Sequence, residues 1–125
     1  MVMYEPSVET MDPAQRAEQQ LRDLRGLVDR LAGGPADFWR RRLDGVSSGD
    51  LRSLDDLADL PLMVKADFRD HYPFGLLAVP LDETVRVHAS SGTSGRPTVV
   101  AYTRDDLAVF AATVARAIGC AGGQP

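Results

Sequence analysis

Residues 88–102 read HASSGTSGRPTVVAY, and within them the positions 90–97 are occupied only by Ser, Thr, Gly, Arg and Pro. Four hydroxyls (Ser90, Ser91, Thr93 and Ser94), two glycines (Gly92 and Gly95) and one guanidinium (Arg96) are thereby concentrated on a connection that two residues could have closed. Consecutive backbone N–H groups in a glycine-bearing turn can converge into an anion-binding nest, because glycine permits both close approach and positive φ. The hydroxyls add donors, and Arg96 adds a fixed positive charge able to grip two phosphate oxygens. Hydrogen bonds to a charged group contribute about 1.5–3 kcal/mol each, so two or three of them suit the phosphates of a nucleotide. Composition alone also fits a solvated hairpin turn, which uses the same Gly, Ser and Pro. The spacing Gly92-x-x-Gly95 ahead of a strand is neither a Walker A loop, which needs Gly-Lys-Ser/Thr before a helix, nor a dinucleotide fingerprint.

Two strands must hold such a loop. Apolar and polar residues alternate over 84–89, as in a half-buried strand, and 98–102 is β-branched and aromatic. Thr103 with Asp106 then starts a helix, in which Leu107, Phe110, Ala111, Val114 and Ile118 form the expected core stripe. Upstream, Asp12, Pro13 and Gln15 read as a helix start. Ala17, Leu21, Leu24, Val28 and Leu31 follow at helical spacing, and Gly33-Gly34 ends the run. Arg16, Glu18, Arg22, Asp23 and Arg25 are expected on a solvated face. A second short helix is expected over 35–43, carrying Phe38 and Trp39 and stopped by Gly45. Arg40, Arg41 and Arg42 point in different directions around it, so solvent is their expected surrounding. Ser53 with Asp56 opens a short helix that Pro61 breaks, and 65–71 makes another turn or two closed by Tyr72-Pro73 and Gly75. His71 has no second ligand at metal spacing, and Cys120 lacks a nearby His, so each reads as structural or idle.

The totals narrow the class. With 125 residues and 44% hydrophobic residues the chain has material for one modest domain, or a piece of a larger one. A net charge of -4, with 14 basic and 18 acidic residues dispersed along the chain, lacks the basic face that nucleic acid demands. The N-terminus carries no basic and apolar leader, and the longest apolar run, 74–81, is far short of the roughly 20 residues of a membrane span. The expectation is a soluble, cytoplasmic protein without nucleic acid or membrane partners.

The loop SSGTSGRPT resembles the Ser/Thr/Gly-rich phosphate loop of the adenylate-forming, AMP-binding superfamily, whose usual core is Ser-Gly-Thr-Thr-Gly-x-Pro between two strands. LRSLDDLADLPLMVKADFRDHYPFGLLAVP followed by VRVHASSGTSGRPTVVAYTRDDL closely resembles the N-terminal region of phenylacetate–CoA ligases, with two blocks in the same order and spacing. The resemblance runs from about residue 9 to the end and is strongest over 51–107. Ser94 stands where the family usually has Thr, and Arg96 where this branch often has Lys. Both departures keep the hydroxyl or the charge.

That resemblance implies an α+β fragment: N-terminal helices, then a β-hairpin carrying a phosphate loop, then a C-terminal helix. Residues 1–125 would be an incomplete N-terminal portion of an adenylate-forming ligase domain. Family members use ATP with Mg2+ and coenzyme A as co-substrates, hold no permanently bound cofactor, and convert an aryl acid to its CoA thioester through an acyl-adenylate. Carried over by position, Ser90, Ser91, Gly92, Thr93, Ser94, Gly95 and Arg96 would bind phosphate, and Pro97 and Thr98 would set the exit into the second strand. No residue of the chain matches a catalytic residue or metal ligand of the family. The acyl and adenine pockets, the ribose-gripping acid and the catalytic lysine lie downstream in the family, and Lys65 matches only a helix start. An inactive ligase portion is therefore expected. A non-catalytic phosphate-binding module, half of a split ligase, and a helical interaction protein are the alternatives. A second copy or a complementing chain is the candidate protein partner. Two strands make a marginal sheet, so loose packing is expected unless the helix stripes cover it.

Overall fold

The computed structural model describes residues 3–90 and 97–123. A one-turn helix α1 (Pro6–Glu9) is tied by the Glu9 carboxylate, which accepts from the backbone N–H of Tyr4 and Glu5 at 2.9 and 2.8 Å. Helix α2 (Pro13–Gly33) begins as the sequence dictates: the Asp12 carboxylate accepts from the N–H of Ala14 and Gln15 at 2.9 and 3.3 Å. Its end is fixed by backbone crowding, because a Cβ on Gly34 would lie 2.9 Å from the carbonyl oxygens of both Arg30 and Ala78. Glycine there lets the segment leading to the hairpin cross the end of α2.

Helix α3 (Asp37–Arg42) packs on α2. Among the described residues, Val28, Phe38, Leu43 and Leu51 are the buried hydrophobic side chains. Two arginines expected in solvent instead brace this cluster. Arg25, half-buried on α2, donates both Nε (2.9 Å) and Nη2 to the Leu51 carbonyl. Arg42 donates to the Leu62 carbonyl at 2.7 Å, lies 3.4 Å from the Asp67 carboxylate and covers the Phe38 ring at 4.8 Å. A guanidinium suits this work because its planar fork reaches carbonyls while its stem stays in apolar surroundings. Arg41 stays exposed, and Arg40 pairs with Asp37 and donates to the Gly34 carbonyl at 2.6 Å.

Two 3₁₀ turns follow, Ser48–Asp50 and Leu54–Asp59. The second is the helix expected after Ser53, wound more tightly. It keeps its capping box: the Asp56 carboxylate accepts from the N–H of Ser53 at 2.9 Å and of Arg52 at 2.6 Å. Helix α4 (Lys65–Asp70) carries only half of that device, since Val64 donates its N–H to Asp67 at 2.7 Å but has no side-chain acceptor to return. Another 3₁₀ turn, Leu81–Glu83, leads into strand β1 (Arg86–Ala89), which pairs antiparallel with β2 (Val99–Tyr102). Helix α5 (Arg104–Cys120) leaves directly from β2 and packs on it.

The α+β order of helices, hairpin and final helix is the expected one, but α5 is turned over. Phe110, Ala111, Val114 and Ile118 are exposed, and only Leu107 of the expected stripe is half-buried. The inner face carries small residues, Ala112, Ala115 and the buried Gly119. The hydrophobic effect rewards burial of the larger face, and the described chain offers nothing large enough to cover it. Total accessible surface is 8935 Å2, against roughly 6,600 Å2 for a compact monomer of 13.6 kDa.

The two backbone donors, first Ser53 and then Arg52, hold the Asp56 carboxyl below its ordinary value of 3.8. A depressed folded value stabilises the turn above the ordinary carboxylate range and loses that contribution as pH falls through the lowered midpoint. NMR titration is expected to give Asp56 a midpoint below that of a free aspartate, and Asp56→Asn to remove its share of the acid limb of stability. An unshifted midpoint contradicts the assignment.

Candidate functional site

The register of the hairpin pairs Arg86 with Tyr102, Val87 with Ala101, His88 with Val100 and Ala89 with Val99. Beyond the strand ends, Val85 donates its N–H to the Tyr102 carbonyl at 2.8 Å, and Ser90 to the Thr98 carbonyl at 2.9 Å. The return bond at the Ser90 end departs from the ladder: the Thr98 N–H donates to the Ser90 hydroxyl oxygen at 3.2 Å. The side chain takes the place a backbone carbonyl has in a regular antiparallel pair. Seven residues, 91–97, connect this clasp. A serine hydroxyl accepts twice and donates once, so Ser90 can hold Thr98 and still donate its proton to an anion.

Of the residues expected to bind phosphate, Ser90 sits exposed at the end of β1, while Ser91, Gly92, Thr93, Ser94, Gly95 and Arg96 lie outside the described residues. Pro97 and Thr98 are half-buried at the start of the return.

The supports of the hairpin are visible on both sides. His88 and Tyr102 are diagonal neighbours on one face, their rings edge-on with centroids 5.0 Å apart at 61°. At the far end, the Thr103 hydroxyl accepts from the Asp106 N–H at 3.1 Å, and the Asp106 carboxylate accepts the Thr103 N–H and O–H at 2.8 Å each. This box locks α5 to β2 with no intervening loop. At about 3.3 Å per residue, the length of β2 separates Thr98 from the start of α5 by roughly 15–20 Å.

Between the hairpin and the helical layer lies an open cleft of about 260 Å3. Leu27 of α2, Phe68 of α4, Phe74, Leu77, and Val99 and Ala101 of β2 line it. Sequence reasoning missed this cleft, since its residues come from four separated segments that share no motif. The block 65–75 turns out to be architectural. His71 faces the Phe38 ring at 4.7 Å, with Nδ1 3.0 Å from the Asp67 carbonyl. Trp39 Nε1–H donates to the Leu76 carbonyl at 2.9 Å. A Cβ on Gly75 would come within 2.8 Å of the His71 carbonyl oxygen, so the turn closes only around glycine. Cys120 is free and exposed. Among the described residues no three His, Cys, Asp or Glu side chains cluster to hold an ion, and no helix is long and apolar enough to cross a membrane.

No family model matches the chain. Curated proteins do. It is 48% identical over 126 residues to a phenylacetate-coenzyme A ligase of Thermus thermophilus, a match covering 99% of this chain and 28% of the relative. Identity is 44% to the phenylacetate-coenzyme A ligase of Aromatoleum evansii (99% of this chain, 30% of the relative) and 54% to that of Pseudomonas putida (91% and 28%). A solved structure of 2-hydroxyisobutyryl-CoA ligase, in complex with 2-HIB-AMP and CoA in the thioesterification state, superposes with a TM-score of 0.75 and 34% identity. That match covers 89% of this chain and 25% of the other. The fold thus matches part of an adenylate-forming CoA ligase. Over nearly all of its length the chain is similar in sequence to phenylacetate–coenzyme A ligases, of which it spans under a third of the length.

Ser90→Ala deletes the clasp. Losing one such hydrogen bond costs on the order of 1 kcal/mol, so amide exchange at Thr98 is expected to accelerate several-fold while α2 amides are unchanged. Unaltered exchange at Thr98 contradicts the role given to the hydroxyl.

Proposed function

We propose that the chain is the N-terminal portion of an ATP-dependent aryl acid–CoA ligase of the phenylacetate type, contributing the loop that holds the outgoing phosphates of ATP. One observation carries this reading: a hydroxyl- and glycine-rich connection framed by an antiparallel hairpin, in a chain homologous to phenylacetate–CoA ligases over nearly all of its length.

In the proposed reaction an oxygen of the aryl carboxylate attacks the α-phosphorus of ATP, and the bond to the β-phosphate oxygen breaks, giving acyl-adenylate and pyrophosphate. The thiol of coenzyme A then displaces AMP and leaves the acyl-CoA. Ser90, Ser91, Thr93 and Ser94 would donate hydrogen bonds to the β- and γ-phosphates, Gly92 and Gly95 would let backbone amides approach them, and Arg96 would neutralise charge growing on pyrophosphate. Magnesium would accompany the nucleotide. None of these groups is a base or a nucleophile, so the contribution is electrostatic. It acts on the leaving group, and the choice of acid lies with residues other than these.

Calorimetric titration of the chain with Mg-ATP is expected to show binding in the millimolar range or tighter, abolished when Gly92 and Gly95 are both replaced by leucine. ATP–pyrophosphate exchange with phenylacetate is expected to be absent. No heat of ATP binding overturns the phosphate assignment, and robust exchange by the pure chain overturns its dependence on further residues.

A further inference from the structure

Among the described hydroxyls, Ser90 bonds in its own way. In Thr10, Thr84, Thr103 and Thr113 the hydroxyl proton goes to an oxygen of the chain three or four residues away. Ser47 and Ser53 accept a backbone N–H two residues on, the ordinary work of a capping serine. Ser90 also accepts a backbone N–H, but from Thr98, eight residues on and across the hairpin. Among the described residues nothing accepts its proton, which is uncommitted within them.

A serine hydroxyl ordinarily rotates to suit its surroundings. With one lone pair held by the Thr98 N–H, the Ser90 proton is confined to directions away from Thr98. Accepting that bond also polarises the O–H and makes it a stronger donor. Thr98 can hold this geometry because it is half-buried and separately anchored: its carbonyl accepts the Ser90 N–H at 2.9 Å, and the register runs on from it to Val99 opposite Ala89. Ser90 itself is exposed and open to a solute.

We propose that Thr98 is a positioning residue for the phosphate site, its backbone N–H aiming the Ser90 hydroxyl proton at a phosphate oxygen of ATP. The inference rests on the phosphate reading above and adds to it a residue that touches no ligand. The task of Thr98 thereby extends beyond the exit into β2.

Calorimetric titration of the whole chain and its variants with Mg-ATP tests this. Ser90→Ala removes a hydrogen bond to a charged group and is expected to weaken binding about ten-fold or more, whereas Ser90→Thr, which keeps the hydroxyl, restores most of it. Thr98→Pro removes the N–H while leaving the Ser90 hydroxyl in the chain, and is expected to weaken binding several-fold. The double variant, Ser90→Ala with Thr98→Pro, is expected to bind no worse than Ser90→Ala alone, because the N–H then has nothing to aim. Amide exchange at Val100, paired with His88 one hydrogen-bonded rung further along the ladder, is expected to be unchanged in every variant. Additive losses, an affinity indifferent to Thr98→Pro, or faster exchange at Val100, which would assign the loss to a disrupted strand, overturns the positioning role. Absence of Mg-ATP binding by the unsubstituted chain overturns the phosphate reading itself, and this inference with it.

Discussion

A hairpin of two four-residue strands cannot bury enough side chain to hold its own shape, so the position of the loop depends on what props the hairpin. One prop is continuous with it: α5, locked to β2 by the Thr103–Asp106 box. The other is a small cluster around Val28, Phe38, Leu43 and Leu51. The segment that joins the cluster to the hairpin passes Gly34 and contains Gly75, where backbone approaches too closely for a Cβ. The Arg116–Glu5 pair ties the far end of α5 to the N-terminal turn, but half-exposed ion pairs of this kind contribute about 1 kcal/mol or less. Apolar burial is therefore thin where the hairpin needs it most.

Local signals survived the passage from sequence to structure because they act within a few residues. Asp12, Ser53 and Thr103 each satisfy backbone donors two or three positions on, and each begins an element where the sequence places it. Long-range consequences did not survive. Arg25 and Arg42 look like surface residues on a helical wheel, but the carbonyls of Leu51 and Leu62, distant in sequence, draw their guanidinium groups inward. The α5 stripe reads as core because helical periodicity reports amphipathicity and is silent on whether a partner layer is present.

The two strands that frame the candidate loop were legible in the sequence, while residues 91–96, on which the phosphate reading falls, lie outside the described residues. The structure adds what spacing could not carry, the use of the Ser90 side chain to close the mouth of the loop on Thr98. It also places the start of α5 at the opposite end of β2 from Thr98. The cleft beneath the hairpin had no signature, because Leu27, Phe68 and Val99 converge only through the fold.

On the proposed reading this chain is a ligase portion, and the apolar burial of its described residues is thin. Scanning calorimetry tests it most directly. Globular domains absorb about 0.7 kcal/mol per residue on unfolding near 60 °C; this chain is predicted to absorb well under that, over a broad transition. A sharp two-state endotherm with the full specific enthalpy would contradict the account.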